Sequence, residues 1–262
     1  MTDQSGVTAI LLAGVRPGVD PLAQAAGVPL KTLIPVAGEA MINRPARALL
    51  AHRAIERLVV LTQDAGMFAR DAGTAWLAHD PRVTFIGSGS GIASSLLALI
   101  DRPDMRFPLL VTTADHVLLD EAMLDQFVAE ARGADIAVAM VERRALLASY
   151  PGSRRTWLKF RDGAWSGANL FWFGSAKARP AIALWQEVEQ DRKKGWKILA
   201  AFGPLALLGA LLRISSLRGG IARMGRRLGL TARLVAMARA EACIDADKPD
   251  DIVLIERILR ER

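Results

Sequence analysis

The first half of this chain predicts an α/β fold in three layers, with a mostly parallel sheet lying between two layers of helices. Short, apolar, β-branched runs alternate there with longer segments of helical periodicity. The short runs are apolar on both faces, which is typical of strands buried in a parallel sheet. With 262 residues and 52% apolar side chains, the chain is long enough to bury such a core.

The predicted elements follow this alternation along the chain. Strands are predicted at residues 7–13, 58–62, 83–86, 108–113 and 136–141. Helices are predicted between them at residues 42–52, 65–77, 92–100 and 121–132. This order of strands and helices is the one that places helices on both faces of a parallel sheet.

The second half departs from the alternation. Strands at residues 156–160 and 168–173 flank a turn region that contains Asp162-Gly163, and a helix is expected over residues 178–192. A basic block then occupies residues 192–239. It holds eleven Lys and Arg and no Asp or Glu, so with a net charge of +7 overall the remainder carries −4.

The basic block predicts a helical insertion in at least two pieces, with breaks near Gly203-Pro204 and Gly219-Gly220. We expect residues 1–262 to form a single domain that carries this insertion. Three interpretations of the block stay open. It is a cap that completes the core, a basic amphipathic surface on an anionic membrane, or a lining of the substrate site that attracts a phosphorylated molecule.

Composition excludes several classes of protein. The single cysteine, Cys243, excludes a disulfide framework, favours a core position and indicates a reducing compartment, which we expect to be the cytoplasm. The N-terminal residues lack the basic start and apolar run of a signal peptide. The longest apolar run, residues 198–212, contains Pro204 and is too short for a membrane span.

A glycine-containing loop follows the first predicted strand. Gly14 and Gly18 let backbone N–H groups approach an anion, but their spacing matches neither a P-loop nor a G-x-G-x-x-G motif. An ordinary strand-to-helix loop remains the alternative. Lys31 follows shortly afterwards, and it is either a cation that reaches phosphate oxygens or a solvated loop lysine.

Carboxylates come after the fourth predicted strand and again near the C-terminus. Asp115 follows a strand end, where ligands of open α/β sheets bind and where a carboxylate can hold Mg²⁺. His116 beside it is interpreted as a loop or substrate contact. Asp245 and Asp247 share a face of an extended segment, and either is a candidate for the second carboxylate. The residues Asp250-Asp251 are interpreted as helix capping groups.

Three motifs carry a family resemblance. The segment LLAG near the N-terminus is followed by KTLIPVAGEAMI from Lys31, by VTTADHVLL around Asp115, and by DADKPDDIVLIERIL from Asp245. In this order they resemble the nucleotidyltransferases of the GT-A type, which include molybdenum cofactor guanylyltransferase-like and sugar-phosphate nucleotidyltransferase-like enzymes. The resemblance implies a Rossmann-like nucleotidyltransferase fold, and it runs through most of residues 7–175 and again through 240–260.

The resemblance also implies roles for individual residues. The loop that would cradle the nucleotide contains Ala13, Gly14 and Gly18. The residues that would contact the base are Gly91, Ser94 and Ser95, and the residues that would face the acceptor are Gly167 and Asn169. Lys31 would neutralise the phosphates, and Asp115 and Asp247 would hold Mg²⁺. The chain departs from the family pattern at Val15-Arg16-Pro17, where Arg16 would replace the expected arginine, and at Lys248, where a threonine is usual.

The reaction implied is Mg²⁺-dependent transfer of a nucleoside monophosphate from a nucleoside triphosphate to a phosphorylated small molecule, with release of pyrophosphate. The acceptor is expected to be a sugar phosphate or a polyol or lipid head-group phosphate. Two alternatives stay open, a glycosyltransferase that uses a nucleotide sugar and an inactive membrane-associated nucleotide-binding protein. Nucleic acid is not an expected partner because the basic block is too apolar. The expected location is cytoplasmic, with peripheral contact at the inner membrane surface through residues 192–239.

Overall fold

The computed structural model describes residues 6–15, 18–89, 91–190 and 216–262. The strands found there are β1 (Val7–Leu12), β2 (Pro35–Val36), β3 (Glu39–Ala40), β4 (Ile55–Thr62), β5 (Val83–Gly87), β6 (Leu109–Thr113), β7 (Ile136–Glu142), β8 (Leu158–Phe160), β9 (Gly163–Phe173) and β10 (Ala232–Ala236).

The helices found in the same residues are α1 (Pro21–Ala25), α2 (Asn43–Ala51), α3 (Ala65–Arg70), α4 (Trp76–His79), α5 (Ile92–Ile100), α6 (Glu121–Ala131), α7 (Arg143–Ser149), α8 (Arg179–Gln190), α9 (Leu217–Arg227) and α10 (Pro249–Glu261). Short 3₁₀ turns are formed by Lys31–Leu33, Ala176–Ala178 and Ala240–Cys243.

The main sheet has eight strands in the order β10-β7-β9-β6-β1-β4-β5, with β8 paired to β9. Neighbours β6, β1, β4 and β5 are parallel, as are β7 and β10, whereas β9 runs antiparallel between β6 and β7. The predicted α/β fold with a mostly parallel sheet is therefore confirmed. Because parallel strands end at the same edge, the segments that follow β1, β4, β5 and β6 meet there, beside the first half of β9.

The core lies on both faces of the sheet. Successive residues of β1 point in opposite directions, so that Leu11 packs into one apolar cluster with helices α2 and α6, and Ile10 packs into another with α5 and α8. Both side chains are fully buried. A strand that must be apolar at every position gives the continuous apolar run on which the sequence prediction depends.

One predicted helix is divided in two in the structure. The helix expected over residues 65–77 is divided into α3 and α4, because Asp71 leaves the helical conformation and its carboxylate accepts a hydrogen bond from Gly73 N at 3.0 Å. Thr74 Oγ1 then donates to Phe68 O at 2.8 Å, which closes the turn between the two helices.

In the described part of the basic block, residues 216–239, the predicted helix is present, but the predicted break and the helical assignment of residues 232–236 are wrong. Helix α9 passes through Gly219-Gly220 without a break, and Ala232–Ala236 is strand β10, parallel to β7 at the edge of the sheet. Ser216 caps α9 by accepting from Gly219 N at 3.1 Å, and buried Leu217 and Leu234 pack together. These contacts offset the low helix propensity of the glycine pair. The predicted break at Gly203-Pro204 lies outside the described residues.

In the described ranges of the chain, none of the helices is both long enough and apolar enough to cross a bilayer.

The packing of α9 on β10 can be tested with a pair of glycine substitutions. A Cβ on Gly225 would lie 2.6 Å from Ala232 Cβ and 2.8 Å from Leu230 O, whereas one on Gly220 would meet nothing within 4 Å. We expect Gly225→Ala to lower the free energy of unfolding by about 1–3 kcal/mol. Gly220→Ala should raise it by up to about 1 kcal/mol, since alanine favours the helix. Urea denaturation of both variants measures this, and equal effects of the two would contradict the packing.

Candidate active site

Three side chains from distant parts of the chain meet at the carboxyl edge of the sheet. The Lys31 ammonium donates to Asp115 Oδ2 at 2.8 Å and to Asp247 Oδ1 at 2.7 Å, across 84 and 216 residues of sequence respectively. Lys31 and Asp115 are about one-fifth exposed, and Asp247 is about half exposed. The structure therefore brings together the cation and both carboxylates that the sequence predicted, in a site open to solvent on the side of Asp247.

Local backbone structure explains the convergence. Lys31 begins a 3₁₀ turn, and Asp115 follows directly after β6. Ala246 N donates to Asp115 O at 3.0 Å, so the segment with Asp247 is fixed beside the end of β6. Ala114 N donates to Leu12 O at 3.0 Å, which places the loop after β1 next to the same carboxylate.

The charges in this cluster stabilise one another. Burial acts to lower the pKa of Lys31, but the charges and hydrogen bonds of Asp115 and Asp247 outweigh burial and raise it. Burial likewise acts to raise the pKa of Asp247, and the hydrogen bond and charge of Lys31 bring it below its ordinary value. At neutral pH the ammonium and the carboxylate of Asp247 are therefore both charged.

The two candidates Asp245 and Asp247 have different surroundings. Arg155 Nη1 donates to Asp245 Oδ1, and Asn169 Nδ2 donates to Asp245 Oδ2 at 3.2 Å. Burial, with the charge of Asp247, raises the pKa of Asp245 to about 6. Both oxygens of Asp245 thus have protein partners, whereas Asp247 faces Lys31. Asp247 is therefore the carboxylate that shares Lys31 with Asp115.

Asp251 was expected to cap its helix, and the structure shows it bound to an arginine. It lies in the first turn of α10, and its Oδ1 accepts from Arg155 Nη2 at 2.7 Å. Sequence reasoning missed Arg155, because the segment between α7 and β8 carries no motif that would single it out.

The predicted acceptor residues lie at an irregularity in β9. Pairing with β7 passes from Val138 opposite Phe171 to Met140 opposite Gly167, so β9 accommodates extra residues between them. Asn169 lies in this bulge with a φ of +48°, a conformation that asparagine tolerates better than most residues. Bulges re-aim side chains, and this one directs Asn169 to Asp245. Gly167 is exposed, and a Cβ there would meet nothing within 4 Å.

The glycine loop is supported by a residue that the sequence did not identify. Gln63 Oε1 accepts from Val15 N at 2.9 Å and Gln63 Nε2 donates to Val15 O at 3.0 Å. A Cβ on Gly14 would lie 3.0 Å from Ser88 Oγ and 3.1 Å from Gln63 Nε2, so the position has little room for a side chain. Ala13 is buried, and Gly18 has a φ of +110°. Arg16 lies outside the described residues.

The predicted base-contacting residues form a tight turn at the start of α5. Ser94 Oγ and Ser95 Oγ donate to Gly91 O at 2.9 and 2.6 Å, and Ser95 Oγ also accepts from Gly89 N at 2.9 Å. The carboxylate of Glu189 accepts from Ile92 N and Ala93 N at 2.8 and 2.9 Å. Glu189 had no sequence signal, and base contact by this turn stays a prediction.

His116 and Cys243 are core residues rather than reactive groups. His116 is 1% exposed with Nδ1 3.2 Å from Thr112 Oγ1, and burial lowers its pKa to about 4. The structure therefore does not present it as a substrate contact. Burial raises the pKa of Cys243 to about 12, so the thiol stays protonated, in agreement with its predicted core position.

The site suits a divalent cation held by few protein ligands. Asp115 Oδ1 is buried and has no hydrogen-bond partner, so one carboxylate oxygen is available beside the Lys31 ammonium. Among the residues that the structure describes, no group of three or more His, Cys, Asp and Glu is arranged to hold a metal ion. In enzymes that act on phosphates, Mg²⁺ usually takes one or two carboxylates as ligands, together with phosphate oxygens and water.

Replacing Lys31 tests the charge balance of the cluster. Lys31→Met should lower the free energy of unfolding at pH 7 by about 1–2 kcal/mol, because two carboxylates lose their common donor while solvent screens Asp247. The pKa of Asp247 is lowered from 3.8 and that of Lys31 is raised from 10.5, so the full difference is expected between those values. It should decline as the pH falls below 3.8 and Asp247 becomes protonated.

Urea denaturation between pH 3 and 8 measures this difference, with Lys159→Met, at an exposed lysine of β8, as the matched control. Equal stability of the Lys31→Met variant and the unchanged protein at pH 7 would contradict the ion pairs.

Comparison with known proteins bears on the fold and on the family. Solved structures include a hypothetical transferase from Thermus thermophilus, with a TM-score of 0.76 and 26% identity over 94% of this chain and 99% of that one. A 4-diphosphocytidyl-2C-methyl-D-erythritol synthase from Anaerococcus prevotii DSM 20548 has a TM-score of 0.61 and 9% identity over 98% and 97% of the two chains, a likeness of fold alone. No curated protein matches the sequence significantly.

The sequence itself matches a family profile. The profile of the MobA-like NTP transferase domain covers residues 24–209, which is more than half of the chain. The match includes Lys31 and Asp115, whereas Asp247 lies beyond its end. This chain belongs to the MobA-like NTP transferase family and is a nucleotidyltransferase.

Proposed function

We propose that this enzyme transfers a nucleoside monophosphate from a nucleoside triphosphate to the phosphate group of a small molecule, with Mg²⁺ as the metal. A phosphate oxygen of the acceptor forms a bond to the α-phosphorus, and the bond from that phosphorus to the oxygen bridging to the β-phosphate breaks. Pyrophosphate leaves with that electron pair. The acceptor class is a sugar phosphate or a polyol or lipid head-group phosphate, and residues 1–262 act as one domain.

The observation that carries the proposal is the Lys31 ammonium between Asp115 and Asp247, next to the glycine loop after β1. In-line transfer at phosphorus gathers negative charge, and it is accelerated mainly by positioning and by fixed positive charge. A lysine whose pKa is raised supplies such a charge over the whole physiological range. The carboxylates beside it supply the ligands for a cation.

Each part of the site has a role in this proposal. Asp115 and Asp247 would hold Mg²⁺ together with phosphate oxygens, and the ion would supply positive charge against that of the triphosphate. Lys31 releases one or both carboxylates and turns its ammonium to the phosphates. The loop residues that cradle the triphosphate are Ala13, Gly14 and Gly18, with Arg16 adding charge. Those that contact the base are Gly91, Ser94 and Ser95, and those that face the acceptor are Gly167 and Asn169.

No general base is required by this chemistry. A phosphate acceptor is already ionised at neutral pH, so its oxygen is nucleophilic without proton removal. This agrees with the burial of the neighbouring histidine, His116, and with a site built from cations and carboxylates. Catalysis then depends on how the chain holds two phosphorylated molecules in line.

Pyrophosphate release tests the proposed reaction. The four nucleoside triphosphates are each incubated with Mg²⁺ and a panel of sugar, polyol and head-group phosphates, and coupled pyrophosphate detection identifies the productive pair. Asp115→Asn should lower the rate at least about 100-fold, because the cation loses its charged ligand. Asp104→Asn, at an exposed aspartate, is the matched control and should keep the rate. Release of a nucleoside diphosphate from a nucleotide sugar would instead support a glycosyltransferase.

Contact with an anionic membrane surface is the proposal for the basic block. In its described part, helix α9 exposes Arg218, Arg223 and Arg226. We expect the protein to sediment with phosphatidylglycerol vesicles at low salt and to dissociate as salt is raised, because surface charges are screened. Changing the three arginines to glutamine should weaken sedimentation, and neutral phosphatidylcholine vesicles are the control. If the protein does not sediment with these vesicles at low salt, the membrane contact is contradicted, and the proposal becomes a cytoplasmic enzyme that does not contact the membrane.

A further inference from the structure

Arg155 is a buried cation that joins two acidic segments. It lies between α7 and β8, and its side chain is only 8% exposed. One amino group of its guanidinium binds Asp245, ahead of α10, and the other binds Asp251, in the first turn of that helix. The two carboxylates are 23% and 13% exposed, so the three groups form a cluster that is largely shielded from solvent.

The partner Asp245 is held from two sides and leads directly to the active site. Its second oxygen accepts from Asn169 in the bulge of β9. Two residues later, Asp247 N donates to Asp245 O at 3.1 Å and Asp247 Oδ1 meets Lys31. The intervening Ala246 N donates to Asp115 O. The position of Asp247 is therefore set by a short segment whose other end is fixed by Arg155 and Asn169.

Electrostatics explain why an arginine is needed there. The negative charges of Asp115, Asp245 and Asp247 lie close together, and Lys31 binds the first and the last of them. Asp245 is left to Arg155, whose planar guanidinium can bind one carboxylate with each amino group. Loss of Arg155 would leave the largely buried carboxylate of Asp245 beside the like charge of Asp247. A movement of the segment would relieve this repulsion.

We infer that Arg155 is a positioning residue of this enzyme: through Asp245 it holds Asp247 against Lys31 and Asp115. The inference rests on the proposed function, in which Asp247 binds the cation. It relates two segments, the one between α7 and β8 and the bulge of β9, to the carboxylates that are proposed to bind the metal. A purely structural role, in which Arg155 only docks the start of α10 through Asp251, is the alternative that the experiment must separate.

The test uses Arg155→Lys, which keeps the charge and loses the planar fork. The affinity for Mn²⁺, a spectroscopically visible substitute for Mg²⁺, is measured on the nucleotide-free protein by electron paramagnetic resonance. Arg155→Lys should weaken Mn²⁺ binding about 10-fold, within the range expected for residues that orient metal ligands. Pyrophosphate release should show a kcat that is about 10–100-fold lower with a nearly unchanged KM for the nucleoside triphosphate.

Two variants separate positioning from stability. Asp251→Asn removes the charge that Arg155 binds on α10 and should lower thermal stability while Mn²⁺ affinity is kept. Arg154→Lys, at the exposed neighbour, should change neither. Asp245→Asn should weaken Mn²⁺ binding as Arg155→Lys does. The double variant should bind Mn²⁺ no more weakly than the single variant of lower affinity, because both changes weaken the same contact. Asp245→Asn also keeps the test available if Arg155→Lys folds poorly.

The outcomes are distinguishable. Three results would each overturn the positioning role. Arg155→Lys would bind Mn²⁺ as tightly as Arg154→Lys does, its effect would add to that of Asp245→Asn, or Asp251→Asn would lose as much Mn²⁺ affinity as Arg155→Lys. If the unchanged protein binds Mn²⁺ but releases no pyrophosphate, the proposed reaction fails while the Mn²⁺ comparison still decides the role of Arg155. If it binds no Mn²⁺ without nucleotide, the positioning role fails, while pyrophosphate release still decides the proposed reaction.

Discussion

The site depends on a single ammonium group that lets two carboxylates lie side by side. Lys31 donates to Asp115 and Asp247 at hydrogen-bond distance, and without it two negative charges at the edge of the sheet would repel each other. Three segments that are far apart in sequence converge on this contact. The parallel pairing of β1 with β6 and the hydrogen bond from Ala246 to Asp115 provide the frame that makes it possible.

Two cations divide the acidic residues of the site into two groups. Lys31, about one-fifth exposed, binds Asp115 and Asp247, and Asp247 is about half exposed to solvent. Arg155, 8% exposed, binds the pair Asp245 and Asp251, which face the protein interior. A compact ammonium on a flexible stem can move between carboxylates and phosphates, whereas a buried guanidinium with two fixed partners cannot. The carboxylates bound by Lys31 are therefore suited to catalysis, and those bound by Arg155 are suited to supporting the site.

The sequence predicted the parts of the fold that depend on local pattern. Strands buried on both faces appear as continuous apolar runs, and residues 92–100 form the predicted helix. Strand β10 was missed because its neighbours are rich in glycine and arginine and its burial depends on β7. Lys31, Asp115 and Asp247 are recognisable by motif, whereas spacing alone leaves Asp245 and Asp247 equivalent. Arg155, Gln63 and Glu189 act through contacts with distant segments, which no local pattern reveals.

Binding of nucleotide in the presence and absence of metal tests the central claim most directly. The shift in melting temperature is measured with ATP, CTP, GTP and UTP, each with and without Mg²⁺, for the unchanged protein and for Asp115→Asn. A ligand at about 100 times its Kd adds about 2.7 kcal/mol to the free energy of unfolding. The account predicts a Mg²⁺-dependent shift with at least one nucleotide that Asp115→Asn abolishes. The absence of any shift, or a shift of equal size in Asp115→Asn, would contradict it.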